Sequence, residues 1–452
     1  MTSKAIEYPA LISVPRFTTL FASLLVTLSS GTNYVDPDSS TAISTFTFGI
    51  LILCSFMTGA GGNAGLTSGV NSTAKTFPDQ ARATATGVVL SGFGLSAFLF
   101  STISRVKFAG NTSSFILLLS LGTSLPMIIG FFLVRPIPLP PTDPIAGVER
   151  GAEETDEARD EHRALLAAQE SVDAPAQLSR RAALNQGILP NVYGRKLFTS
   201  SDFWLLFTIL SLLSGTGLMY INNVGSMSQA LYAKSTRVYN PVDAARWQAN
   251  QVASISLLNF AGRIFIGIVA DYGKNRWSLP RSYSLVLASI FFFVSQVMAA
   301  HTEQIKHLWM ASTMLGLAHG SVFSIFPTVC LEWFGMPHFS ENWGFMSASP
   351  IIAGNLFSFV FGRTLDAHEK HLTQDALAGL TPSQASLAAQ CTLGLECYAG
   401  ALYLTTGACF LSIFLSAWAG WRDRKKLETG RTMASRRSAA AAAWEGARDE
   451  DE

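Results

Sequence analysis

Ten stretches of the chain are almost free of charge, and polar or Pro- and Gly-bearing segments separate them: 17–35, 45–68, 83–104, 114–134, 203–224, 251–270, 282–300, 307–329, 343–362 and 398–421. Crossing a bilayer core takes roughly 17 to 25 apolar residues of helix. A helix also satisfies its own backbone hydrogen bonds where no water can. The pattern therefore predicts an all-α membrane protein with about ten transmembrane helices. Arg263 is the one charge inside these runs.

Residues 136–200 break the pattern. Pro136, Pro138, Pro140 and Pro141 lead into the run ERGAEETDEARDEHRALL, whose charges exclude it from lipid. This reads as a cytosolic acidic linker, largely disordered, with a short helix at its centre. It divides a four-span N-terminal half (1–135) from a six-span C-terminal half (201–421). Residues 422–452 form a tail that is basic, then Ala-rich, then acidic, and disordered or weakly helical. An even number of spans puts both termini on one side. Basic residues at helix ends favour that side, among them Lys4, Arg16, Lys75, Arg82, Lys274, Arg276, Arg281 and Arg422, which predicts cytosolic termini. The first apolar run starts late and lacks a small-residue cleavage site, so no cleavable signal peptide is expected.

Gly59, Phe77 and Gly87 recur at Gly316, Phe334 and Gly344, each 257 residues on. Asn33 in SGTNYV pairs with Asn222 in LMYINNVG at an offset of 189, so the first half falls 68 residues short after its first helix. That is the length of about two spans with their loops. A twelve-helix, two-half parent that has lost its second and third helices accounts for both offsets, and the loss leaves the direction of every later helix unchanged. Repeats that rock against each other around a midplane site are the usual build of alternating-access transporters.

The composition agrees, with 49% hydrophobic and 14% charged residues. A net charge of +1 with scattered basic residues gives no reason to expect a nucleic-acid partner. The sequence contains no Gly-x-Ser-x-Gly, no phosphate loop and no His or Cys cluster at metal-ligand spacing, so no enzyme, cofactor or metal is expected. Cys54, Cys330 and Cys409 lie in or at the end of apolar helices and read as small buried hydrophobes. Cys391 and Cys397 fall in the long non-cytosolic loop before the last helix and are candidates for a disulfide if that side is oxidising. Asn111 opens a glycosylation sequon on the same side, and Asn71 opens one on the cytosolic side.

Several stretches carry a family resemblance: GTNYV from Gly31, TAKTFPDQARATATGVVLSGFGLSAF, the DFWLLF and INN segments around Asp202 and Asn222, and FSENWGFM followed by Pro350 and Gly354–Asn355. Over nearly all its helical parts the chain resembles the major facilitator superfamily, in particular its fungal nodulin-like and monocarboxylate-transporter-like members. The superfamily's loop signature, Gly-x3-Asp followed by Gly and basic residues, is matched by Gly267, Asp271, Gly273, Lys274 and Arg276. The resemblance implies a gating loop there, in which Asp271 pairs with a helix end or basic group in one rocking state and loses it in the other. The first-half copy of the signature would lie between the two absent helices. The implied function is transport of a small solute, a monocarboxylate or other organic anion, by alternating access across a lipid bilayer. A competing expectation, a transport-inactive membrane partner, sensor or incomplete gene product, draws on the missing helices.

Arg263 lies eight residues before Asp271, or about 12 Å deeper along the helix at roughly 1.5 Å per residue. A guanidinium in lipid needs an anion, a carbonyl or water, and its planar fork suits a carboxylate. The monocarboxylate-transporter resemblance implies an Arg on this helix preceded four residues earlier by an Asp. Here Asn259 holds that position, so no proton-carrying carboxylate stands there. Snorkelling toward the cytosol and bracing of the loop signature are the alternatives. His319, mid-span in GLAHG, is a candidate carrier of a coupling proton or a hydrogen-bonding partner of a neighbouring helix. Asn33, Tyr34, Tyr220, Asn222, Asn223 and Asn355 line the cavity in the family fold, as substrate contacts or as interhelical hydrogen bonds. The glycines from Gly59 to Gly69 and at Gly87, Gly92 and Gly94 read as sites of close helix packing. Glu161 with Leu165 and Leu166 forms an acidic dileucine pattern in the linker. It is a candidate signal for a sorting adaptor that favours the vacuolar over the plasma membrane, against the plainer reading of a solvated amphipathic helix.

Overall fold

The computed structural model describes residues 45–107, 118–119, 121–122, 125, 191–236, 239–368 and 391–449, and every regular element among them is helical. In the first half these are α1 (Thr45–Thr76) and α2 (Arg82–Lys107). After the linker come α3 (Arg195–Thr199), α4 (Ser201–Ser235), α5 (Pro241–Trp277), α6 (Ser284–Ala300), α7 (Leu308–Phe334), α8 (Phe339–Met346), α9 (Ala348–Asp366) and α10 (Ala399–Asp449). Among the described residues, seven helical segments are long and apolar enough to cross a membrane, built on α2, α4, α5, α6, α7, α8 with α9, and α10. The expected span at 45–68 falls inside α1. The span at 17–35 lies outside the described residues, and the one at 114–134 almost entirely so.

Local chemistry sets the helix ends. Ser200 caps α4 by accepting from the Asp202 amide at 3.3 Å. Asn240 caps α5 by accepting from the Val242 amide at 3.0 Å, with Pro241 at the first helical position where its missing N–H costs nothing. The far end of α5 closes through Ser278, left-handed at φ 53°, whose amide returns to the Gly273 carbonyl. Pro350 cannot donate to the Met346 carbonyl, and the expected span at 343–362 is interrupted there, between α8 and α9.

Clustering of contacts gives two units: Met1–Val134 with Val192–Thr429, and Arg135–Asn191 with Gly430–Glu452. In the first, α5 is the central helix, packed on α2 and on α7. Both contacts bring backbones together at glycines. A Cβ on Gly87 or Gly94 of α2 would strike the backbone at Arg263 or Phe260, and one on Gly316 or Gly320 of α7 would strike the carbonyl of Ile255 or Asn259. Small residues at such crossings are how helices associate where lipid offers no hydrophobic drive. A Cβ on Gly59, Gly62 or Gly92 would meet nothing within 4 Å among the described residues. α4 packs on α9 through Gly215 against Ala353 and Leu218 against Gly354.

Two segments are more ordered than the sequence pattern suggests. Residues 191–200 carry a one-turn helix, α3, and Val192 is tied to the second half by its amide to the Phe334 carbonyl at 3.0 Å and by its carbonyl to Asn342 at 2.8 Å. α10 runs past Trp421 without interruption to Asp449. The tail is thus the continuation of a transmembrane helix, consistent with the high helix propensity of its alanines.

Candidate functional site

α5 places two charged positions on the side that meets α2. Arg263 is 3% exposed and its Nε donates to Asn259 Oδ1 at 2.9 Å. Long helical side chains point toward their own N-terminus, and this bond directs the guanidinium away from Asp271, toward the bilayer interior. That geometry argues against both snorkelling and bracing of the loop signature. Phe93 of α2 covers the guanidinium, with Cζ 5.2 Å from the ring centroid. No carboxylate pairs with Arg263 among the described residues. The asparagine at position 259 is thus a neutral acceptor that orients the cation through its Nε.

His319 of α7 is buried, with Nδ1 unpartnered among the described residues and its ring flanked by Phe292 and Phe323 at centroid distances of 6.4 and 4.8 Å. It faces Gly217 of α4, where a Cβ would collide with Nδ1. The other candidates are placed differently. Tyr220 is fully buried and its hydroxyl shares a 3.0 Å hydrogen bond with Ser312. Asn223 and Asn355 donate to carbonyls of their own helices, Met219 and Ile351, both at 2.7 Å. Asn222 and Asn355 are exposed. Asn33, Tyr34, Glu161, Leu165 and Leu166 lie outside the described residues.

The loop signature meets the first half directly. Asp271 is 5% exposed and accepts from the amides of Ala83 at 3.3 Å and Thr84 at 2.7 Å, and from the Thr84 hydroxyl at 2.7 Å. These amides belong to the first turn of α2, whose unpaired N–H groups and dipole favour an anion. Asp271 is in effect a capping residue supplied by the other half. Arg281, 1% exposed, donates to Asp271 Oδ1 from Nε at 3.0 Å and from Nη2 at 2.8 Å, and also bonds Glu332 and both the side chain and the carbonyl of Asp79. Lys274 bridges Asp79 and Glu332, each at 2.7 Å. Arg82 pairs with Asp79 at 3.1 Å. Three carboxylates and three cations therefore join the 79–84 turn of the first half to the ends of α5, α6 and α7. Within the signature, Gly267 allows α5 to approach Ala83 and Thr84, Gly273 accepts the end of its helix, and Arg276 is exposed.

Asp79, Arg281 and Glu332 escape a motif-based reading because they fall outside the signature. Their signal was available in another form: all three stand at the ends of apolar runs on the same side as Asp271 and Lys274.

At the opposite end of α10, Cys391 and Cys397 form a disulfide with Cα atoms 6.2 Å apart, and Gly394 between them (φ 71°) lies against Lys234. Cys330 and Cys409 are buried and free. Asn71, which opens the other sequon, donates to Ser340 at 3.0 Å and ties α1 to α8.

A bundle of apolar helices in two halves, joined at one end by charges that cross between them, is the architecture of a multi-pass membrane protein. The chain belongs to the Major Facilitator Superfamily, whose family model matches residues 14–349. It is 28% identical over 181 residues to the uncharacterized membrane protein YMR155W of Saccharomyces cerevisiae, covering 37% of this chain and 33% of that one. It is 27% identical over 187 residues to the probable transporter MCH1 of Wickerhamomyces anomalus (40% of this chain, 36% of that one). The probable transporter mch1 of Neurospora crassa is 23% identical over 261 residues (52% and 42%). The chain thus spans less than half the length of each of these relatives. Among solved structures it is similar to the fucose:proton symporter of E. coli, with 13% identity, a TM-score of 0.44, and coverage of 87% of this chain and 83% of that one. It is also similar to the human organic anion transporter MFSD10, with 14% identity, a TM-score of 0.48, and coverage of 91% and 82%.

Proposed function

We propose that the protein moves a small organic anion, with a monocarboxylate as the first candidate, by alternating access, and that Arg263 is its anion-binding group. The observation that carries this reading is a guanidinium 3% exposed, oriented by a neutral asparagine, covered by an aromatic ring and paired with no carboxylate among the described residues. An unpaired charge at that depth is costly to keep, and a substrate carboxylate would neutralise it through two parallel hydrogen bonds. Because Phe93 belongs to the first half and Arg263 to the second, an anion bound there would sense the approach of the halves. His319, on the helix that packs against α5, is the candidate proton carrier.

The Asp271, Arg281, Glu332, Lys274 and Asp79 cluster is the proposed gate, a reading supported by its contacts across the two halves. Opening it would take Asp271 off the α2 N-terminus and Arg281 off Asp79, two charge-assisted contacts whose partners would pass to water. The disulfide at the other end of α10 supports an oxidising compartment on that side and the cytosol on the gate side, with the vacuolar membrane as the proposed site.

Thermal stabilisation of the purified protein tests the reading. A ligand that binds only the folded state raises its melting temperature in proportion to ln(1 + [L]/Kd). Lactate, pyruvate or a related monocarboxylate at saturating concentration should raise the melting temperature of the wild type and leave Arg263→Ala unmoved. An equal shift in both proteins would remove Arg263 from the site.

A further inference from the structure

The membrane-facing stripe of α10 ends in a feature that neither the transport site nor the gate uses. Phe410, Leu411, Phe414, Trp418 and Trp421 are exposed and follow one another at intervals of one to four residues, so they form a single face of the helix. The opposite face, Cys409, Ser412, Ser416, Ala419 and Asp423, is buried in the protein. At the gate-side end the apolar stripe meets cations: Arg422 lies over Trp418 with Cζ 5.6 Å from the ring centroid, and Lys425 lies over Trp421 with Nζ at 4.0 Å.

The cations of this helix end differ in what they are bound to. Arg422 and Lys426 both pair with Asp202 of α4, the former at 2.8 Å, and Arg424 pairs with Glu428 at 3.0 Å. Lys425 has no carboxylate partner among the described residues; its ammonium rests on the indole face alone. Tryptophan marks the depth of the headgroups, where its ring is apolar on one side and wet on the other. An ammonium held there faces the plane in which lipid phosphates and carboxylates lie.

We infer that the Trp418, Trp421 and Lys425 face of α10 binds the headgroup of an anionic phospholipid, with its acyl chain along Phe414 and Phe410. The shared chemistry is an anionic headgroup above an apolar stripe, and the stripe commits the site to a lipid over a free anion. The other face of the same helix end holds the gate loop. Ser282, next to Arg281, donates to Asp423 at 2.6 Å, and the Tyr283 ring lies where a Cβ on Gly420 would be, at 3.0 Å. A headgroup bound at Lys425 therefore fixes the helix end against which the gate loop rests.

Native mass spectrometry of the full chain in detergent, titrated with dioleoyl phosphatidylserine or with dioleoyl phosphatidylcholine, tests this without measuring transport. The wild type should retain phosphatidylserine roughly fivefold more tightly, the preference expected of one basic side chain at a charged membrane surface. Lys425→Gln should abolish the preference and Trp421→Ala should weaken it. Lys306→Gln, which alters an exposed base at the other end of the bundle, should leave it intact. Equal retention of the two lipids by the wild type, or an undiminished preference in Lys425→Gln, would overturn the assignment. Displacement of phosphatidylserine by inorganic phosphate would also overturn it, because the site would then take the anion without the chain.

Discussion

The proposed transport chemistry rests on one buried cation, Arg263. Arg263 stood out in the sequence as the one charge within ten apolar runs, and its depth followed from helical rise alone. Its partners could not be read the same way. Asn259 is four residues away and falls on the same face, but Phe93 comes from another helix more than a hundred residues earlier, and no spacing rule brings the two together. Arg263→Lys keeps the charge and loses the fork, so uptake should fall by about tenfold or more while the protein reaches the membrane in normal amount. Wild-type uptake by this variant would mean that charge alone suffices. Asn259→Asp would place a carboxylate beside the guanidinium and compete with any incoming anion. Its apparent affinity for a monocarboxylate should drop several-fold, and isothermal titration of the purified variant measures that directly.

Elements meet through backbone contacts that their sequences announce only in part. Gly87, Gly94, Gly316 and Gly320 hold α2, α5 and α7 at close range, whereas a Cβ on Gly59, Gly62 or Gly92, which look the same in the sequence, would meet nothing within 4 Å among the described residues. A glycine's role depends on which side of its helix faces a neighbour, and that is decided by the packing. Gly320→Leu should cost about 1–3 kcal/mol through overpacking against the Asn259 carbonyl; a lower melting temperature in detergent would register it. The charge cluster proposed as the gate joins elements in a different way. Asp271 was legible from the loop signature, but its hydrogen bonds to the amides of Ala83 and Thr84 come from the far half. Asp271→Asn removes the anion from the α2 N-terminus and takes one of three carboxylates from Arg281, which keeps Asp79 and Glu332. The proposed gate should loosen. An Ala83→Cys reporter, buried in the wild type, should react with a water-soluble maleimide several-fold faster in the Asp271→Asn background. With Cys54 replaced by Ser, the remaining native cysteines are either buried (Cys330 and Cys409) or joined (Cys391 and Cys397), so background labelling should be low. Unchanged labelling would separate Asp271 from gating.

For the whole molecule, the number and order of apolar runs pointed to a multi-pass helical fold, because lipid permits so few architectures, and the Major Facilitator Superfamily was legible only through the resemblance carried by stretches such as FSENWGFM and the Gly267–Asp271 loop signature. The ion cluster across the halves was hidden from the same reading: it is assembled from six residues, Asp79, Arg82, Asp271, Lys274, Arg281 and Glu332, each an ordinary helix-end charge when taken alone. The long α10 was hidden too, since the change to a charged composition after Trp421 marks the edge of the membrane and not the end of the helix. The orientation proposed above places the Cys391–Cys397 loop in an oxidising compartment. A maleimide-polyethylene glycol shift of denatured protein from intact cells should therefore show two labelled thiols fewer before reduction than after it. The most direct test of the account is uptake of a labelled monocarboxylate into proteoliposomes containing the purified wild type or Arg263→Ala. Saturable flux in the wild type and none in Arg263→Ala is the predicted result. Absence of saturable flux from the wild type, or equal flux from the two proteins, would contradict it.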